Sequence, residues 1–409
     1  MSGSACDSAW RVFVAPKFID RLPGNLYPMQ QTKTTTTALA IFSILLAACT
    51  GLGEHDSFQA ANQSEKNDNT THQGEPFSHR RALQNSVRAP TYETSSYQAK
   101  AFELVNAYRV SVHVGKLRQD PRLDTAAQAH ALYLASNLAS GGLTELSHDE
   151  ASGFANYYAD TPLSRARKAG VAMKEWVGEI IAAGRHQMDP AAYARDCIGQ
   201  AINSVYHLVP LLKNQESIGL GFVPESATYP IYVCTTEFGT AGGVKGAPGP
   251  NTGIYSGGQQ IPPTAVVHVP YDGETQVLLT MAPELPHLGF GPSALGRPIM
   301  VMVNAQDRNT LSVAKFTLED STRGLVIPAH ILISRGGKLN SVMTAVVDPN
   351  NLLADGVVFL LPCTPLVANT TYTATFSGAR DKAPINLTWN FTTGNASAHL
   401  QHVTFGAGH

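Results

Sequence analysis

From Tyr97 the apolar positions of the chain recur three and four residues apart. In "YQAKAFELVNAYRVSV" they are Phe102, Val105, Tyr108 and Val112, the spacing of one buried face of a helix. A second helix is predicted in "DPRLDTAAQAHALYLASNLA". There Asp120 is a good N-cap, Pro121 suits the first helical position, and Leu123, Ala127, Ala131, Leu134 and Leu138 form the buried stripe. "TPLSRARKAGV" is also helical, and "DPAAYARDCIGQAINSVYHLVPLL" repeats the Asp-Pro start at Asp189 and Pro190. The short alternating runs "SIGLGFV" and "PIYVCTTEF" predict strands. Helices on one or both sides of a small sheet make this region α+β, in three layers. From about Pro262 the period changes to two. "TAVVHVPYDG", "RPIMVMVNA", "AKFTLED", "GLVIPAHILIS", "NSVMTAVVDP", "GVVFLLP", "TYTATFSG" and "INLTWNFTTG" read as short strands with turn residues between them, the spacing of a β-sandwich. Tyr372, Phe376, Trp389 and Phe391 are its expected core.

Outside these regions the pattern fades. Residues 49–95 are polar and read as a disordered tether. Residues 241–262 are dense in Gly and Pro and read as a linker between domains at 96–240 and 263–396, with 397–409 a tail. Ahead of the tether, "MQQTKTTTTALAIFSILLAACTG" starts at Met29, and residues 29–48 have the charge and apolar run of a signal peptide, too short to span a bilayer. Leu46-Ala47-Ala48-Cys49 resembles a bacterial lipobox, which implies a lipid on Cys49 and cleavage before it. Residues 1–28 fit no such pattern and read as an over-extended start. Charged residues make up 15% of the chain, against roughly 25% in typical globular domains, which suits an exported protein. The net charge of -2 offers no basic stripe for nucleic acid and no polybasic patch for anionic lipid. The five cysteines follow no zinc pattern. An exported compartment permits a Cys197–Cys234 disulfide, and the sequence leaves that pairing open.

Several segments between Tyr97 and Gly239 resemble, in order and spacing, the CAP superfamily (cysteine-rich secretory, antigen-five and pathogenesis-related proteins) in its bacterial form. They are "LVNAYRVSVHVGKLRQDPRLDTAAQAHA", the histidine loop "LSHDE", the run "LSRARKAGV" leading to "VGEIIAAG", and "INSVYHLVPLL" leading to "SIGLGFV". The resemblance implies an α-β-α sandwich in which His148, Glu179 and His207 line one cleft. In some members the two histidines hold a divalent metal, zinc or copper. The chain departs from the family at three positions: Ser204 stands where eukaryotic members carry a second glutamate, Ile180 where the family has asparagine, and Ala201 where an aromatic is usual. From "VPYDGE" to "WNFTTG" the β-region resembles the Ig-like domains of bacterial surface proteins.

Two imidazoles and a carboxylate can serve in three ways. They can bind a metal with open positions for water. One histidine can act as a general base oriented by Glu179. Or the group shapes a recognition groove for a lipid, a peptide or an envelope component. Against these stands a purely structural role, Glu179 holding the histidine loop by hydrogen bonds. Ser147 beside His148 and Ser204 before His207 lack the nucleophile-elbow motif of a serine hydrolase. His130 reads as helix packing, His113 and His186 as loop positions. The expected protein is a lipid-anchored envelope protein, sorted to the outer membrane in a diderm cell. Its cleft binds a ligand or a metal; a metal-dependent hydrolase of peptide or cell-wall material and a structural adhesin are the alternatives.

Overall fold

A computed structural model describes residues 83–242, 257–262, 264–291, 294–304, 311–339 and 345–395. The segments read as an over-extended start and as a signal peptide with Cys49, most of the expected tether, most of the Gly/Pro stretch and the tail lie outside the described residues. Among the described residues the fold is mixed, with helices confined to the first region. Among the described residues no helix is long and apolar enough to cross a membrane.

The helix starts follow the cap chemistry. Ser96 caps α1 (Tyr97–Ser111) and Asp120 caps α2 (Pro121–Ala139), each side chain accepting from a first-turn N–H. Thr161 and Ser164 form a capping box on α3 (Pro162–Lys168), and Asp189 caps α4 (Pro190–Ile202). The helix expected to run on from α4 to Leu212 breaks at Asn203 and resumes as the short α5 (Leu208–Leu212). The sheet takes the order β1 (Arg118–Gln119), β3 (Ser217–Val223), β4 (Ile231–Thr240), β2 (Trp176–Arg185). β1 runs parallel to β3, and the other pairs are antiparallel. α2 packs closely on β3 because Gly219 and Gly221 present no side chain. A Cβ on Gly219 would lie 2.1 Å from the Leu123 carbonyl carbon, and one on Gly221 2.3 Å from that of Ala127. Beyond β1 the outer edge of β3 is closed by side chains of α2: Asp124 accepts the Leu220 N–H, and Gln128 bonds both N–H and C=O of Phe222. On the other side Cys197 of α4 and Cys234 of β4 form a disulfide, their Cα atoms 6.6 Å apart.

The Asn-x-x-Arg of α1 is structural. Asn106 bonds both N–H and C=O of Leu117, and the buried Arg109 donates to the carbonyls of Gly115, Leu211 and Lys213, tying α1 to the end of α5. The chain expected to be a tether as far as residue 95 is already packed at Gln84, whose amide donates to Lys116 O and Glu216 O. Gln259 and Ile261, at the end of the Gly/Pro stretch, are buried as well.

In the second region two sheets share a core. One has the order β12 (Ala345–Val347), β10 (Ala329–Ile333), β13 (Val357–Pro362), β7 (Ile299–Val303), β5 (Val266–Val269). The other has β11 (Lys338–Leu339), β8 (Leu311–Asp320), β14 (Thr371–Arg380), β15 (Ala383–Thr393), β6 (Glu274–Val277), with β9 (Leu325–Val326) on β8. Tyr372, Phe376, Trp389 and Phe391 lie between the sheets, all at most 2% exposed. The central strands of the five-stranded sheet, β7 and β13, are buried on both faces. Ile299, Val301 and Val303 face the other sheet. Met300 and Met302, with Val269, Phe359 and Leu361, join the same hydrophobic core as Phe102, Ile198, Leu208 and Leu212 of the helical region. The two regions therefore meet through a shared apolar core, inside one compact unit.

Candidate functional site

α2, the loop after it, α3, β2 and β4 together bury a cluster of charge. The loop carries His148 outward, its side chain 46% exposed. Nδ1 of that ring lies 2.8 Å from Oε1 of Glu179, whose side chain is fully buried. The other carboxylate oxygen of Glu179 accepts from Arg165 Nη2 at 2.8 Å, and the same nitrogen donates to the His148 carbonyl at 2.9 Å. One guanidinium thus fixes both the carboxylate and the loop that bears the histidine. Gly178 has its own reason: a Cβ there would sit 2.2 Å from the ring of Trp176, which folds over it.

Three further residues complete the cluster. His130 is buried, with Nδ1 2.9 Å from Glu150 Oε1 and Nε2 3.0 Å from the Ser147 carbonyl. Both ring nitrogens face oxygen atoms of the loop that bears His148. Glu150 also takes the N–H groups of Tyr158 and Ala159 and so shapes the far side of the loop. Glu237 stands directly opposite Glu179 across β2 and β4, and it too is buried. Burial works to raise the Glu179 carboxyl, but the charges of His130 and Arg165 and the His148 hydrogen bond hold it far below the ordinary range. Burial, and then the charge of Glu179, push Glu237 well above it, with Arg165 opposing. Arg165 thus stands between two carboxylates, Glu179 at 2.8 Å and Glu150 at 3.6 Å, with the Glu237 carboxyl pushed upward beside them.

His148 and Glu179 are therefore brought together. His207 finds a different carboxylate. Its Nδ1 lies 3.2 Å from Oε2 of Glu284, in the segment between β6 and β7, and its side chain is 18% exposed. No hydrogen bond or ion pair among the described residues joins His207 to His148 or Glu179. A zinc or copper ion shared by the two histidines would need both rings turned to one point. As they stand, Nδ1 of each ring is engaged on its own glutamate, which leaves Nε2 as the nitrogen free to turn toward a ligand, and among the described residues no group of three or more His, Cys, Asp or Glu is gathered around a metal position. The serines are also committed elsewhere: Ser147 turns its hydroxyl to the backbone of Asp149, and the buried Ser204 donates to Ala201 O. His186, read as a loop position, is exposed and pairs with Glu225, which Tyr193 also binds.

His130 was within reach of sequence reasoning. It falls three residues after Ala127 and four before Leu134, on the buried stripe of α2. Glu150 and Glu237 carry no such signal; one sits in a loop, the other in a strand whose every residue is buried.

Residues 102–236 match the family model of the cysteine-rich secretory protein family, CAP, so a CAP domain is present in the first region. No curated protein is recognisably similar to the chain. Among solved structures, an outer surface protein from Borrelia burgdorferi is similar at 18% identity, over 37% of this chain and 98% of that one, with a TM-score of 0.27.

Proposed function

We propose that the CAP domain at residues 102–236 is a binding module, displayed outside the cell on a chain held to the envelope by a lipid on Cys49, and that it takes its ligand at His148. The chain Arg165–Glu179–His148 carries this reading. A ring that donates Nδ1–H to a carboxylate fixed from behind leaves Nε2 as an acceptor. The ring is half exposed, so that acceptor can meet a hydroxyl or N–H of a glycan or peptide. The cost of orienting the imidazole is met during folding, which favours capture of such a donor. The turn of the Ser147 hydroxyl into its own loop supports binding over acyl transfer. The β-region, read as an Ig-like domain, braces the CAP domain through the shared core.

The test is retention of the full chain on insoluble cell-wall glycan-peptide, with the supernatant assayed for soluble fragments. Retention without fragments is expected. His148→Ala should weaken it about tenfold, the ~1.4 kcal/mol of one well-placed hydrogen bond. Sustained release of fragments that His148→Ala abolishes would make the protein a hydrolase instead. Equal retention by parent and variant would remove His148 from the site.

A further inference from the structure

The β-region reaches the turn between α4 and α5 at several points. Arg297 donates to the Ile202 carbonyl, Ala282 N–H to the Asn203 carbonyl, and the Tyr206 hydroxyl bonds Asp348 and Asn350. The contact nearest chemistry is Glu284. Its side chain is fully buried, Oε1 accepts the Val205 N–H at 2.8 Å, and Oε2 accepts the Tyr206 N–H at 2.8 Å. Oε2 also lies 3.2 Å from His207 Nδ1. A second neighbour of that nitrogen is Ser204 Oγ, at 3.3 Å. The serine gives its own proton to Ala201 O, 3.0 Å away, and so can only accept from the ring. Nδ1 thus faces two acceptors, and the hydrogen bonds are satisfied only if it carries the proton.

We infer that Glu284, supplied by the β-region, is a positioning residue for His207: it fixes Nδ1 as a donor and leaves Nε2 of the neutral ring as an acceptor. This is the same construction as Glu179 behind His148, made here from both regions of the chain. The β-region then belongs to the ligand-meeting apparatus, and His207 is a second acceptor for hydroxyl or N–H donors. The inference is independent of whether His148 binds a ligand.

The tautomer can be read directly from long-range proton–nitrogen correlations of the histidine rings in the full chain labelled with [15N]-histidine. The work is done at about pH 8.5, above the ordinary histidine range. Loss of signal in His207→Gln assigns the ring. The expected result is a protonated Nδ1 in the parent, a form that is the minor one in water, and transfer of the proton to Nε2 in Glu284→Ala. Tyr206→Phe cuts the contacts to Asp348 and Asn350 but spares Glu284, and should leave the tautomer unchanged. An unprotonated Nδ1 in the parent overturns the inference even if Glu284→Ala does not fold. So does a parent-like ring in Glu284→Ala, or an equal shift in Tyr206→Phe, which would mark general loosening of the turn.

Discussion

Glu179 and Glu237 are the same residue type, opposite one another on adjacent strands, with carboxyl pKa values moved in opposite directions. Their substitutions should therefore have opposite signs. Glu179→Ala removes the closer of two carboxylates from the buried Arg165, leaving only Glu150 at 3.6 Å, a loss of about 3–5 kcal/mol. Glu237→Gln keeps the shape and replaces a proton that the folded chain must hold. For Glu237 the folded pKa lies above the unfolded one, near 4.3. Below that value both states are protonated and the burial carries no proton cost. As pH rises through it the unfolded chain ionises and the folded chain does not, so the parent loses stability. For Glu179 the folded pKa is depressed, so its contribution is present above the unfolded value and lost as pH falls. Urea unfolding of the two variants from pH 4 to pH 8 checks this. Glu237→Gln should match the parent near pH 4 and exceed it increasingly toward pH 8, and Glu179→Ala should be weaker at neutral pH. A Glu237→Gln chain weaker than the parent at pH 8 would mean that Glu237 is ionised in the fold.

At the scale of elements, the contact of α2 with β3 depends on two absent side chains. Gly219→Ala would press a methyl group into the backbone of α2, with no flexible side chain to give way. A loss of about 1–3 kcal/mol is expected, read as a lowered Tm; an unchanged Tm would mean that helix and strand can separate freely. The elements themselves were largely legible. Asp120-Pro121 and Asp189-Pro190 mark helix starts because cap chemistry is local. The break at Asn203 was not legible, because Glu284 satisfies Val205 and Tyr206 from far along the chain. The same limit applies to the site. Glu179 and His148 could be paired through a family pattern, while Glu150, Glu237 and Glu284 act through contacts that no local spacing announces. One signal was present in another form. "IMVMV" and "VVFLLP" are unbroken apolar runs, and a strand apolar on both sides is one buried on both faces.

For the whole molecule that double burial decides how it unfolds. Separating the regions would expose Met300, Met302 and Phe359 on one side and Ile198 and Leu208 on the other. The pair should melt in one calorimetric transition whose van't Hoff and calorimetric enthalpies agree; two resolved transitions would show that the interface contributes little. A last consequence follows from the edge of β3. Copies of one chain present the same strand edge to one another whenever they meet at high local density. An open strand edge in that setting is a template for strand-to-strand growth. Asp124 and Gln128 occupy the hydrogen-bonding groups of Leu220 and Phe222 that a neighbour would need. The side chains that finish the sheet therefore also deny this edge of β3 to a neighbouring copy.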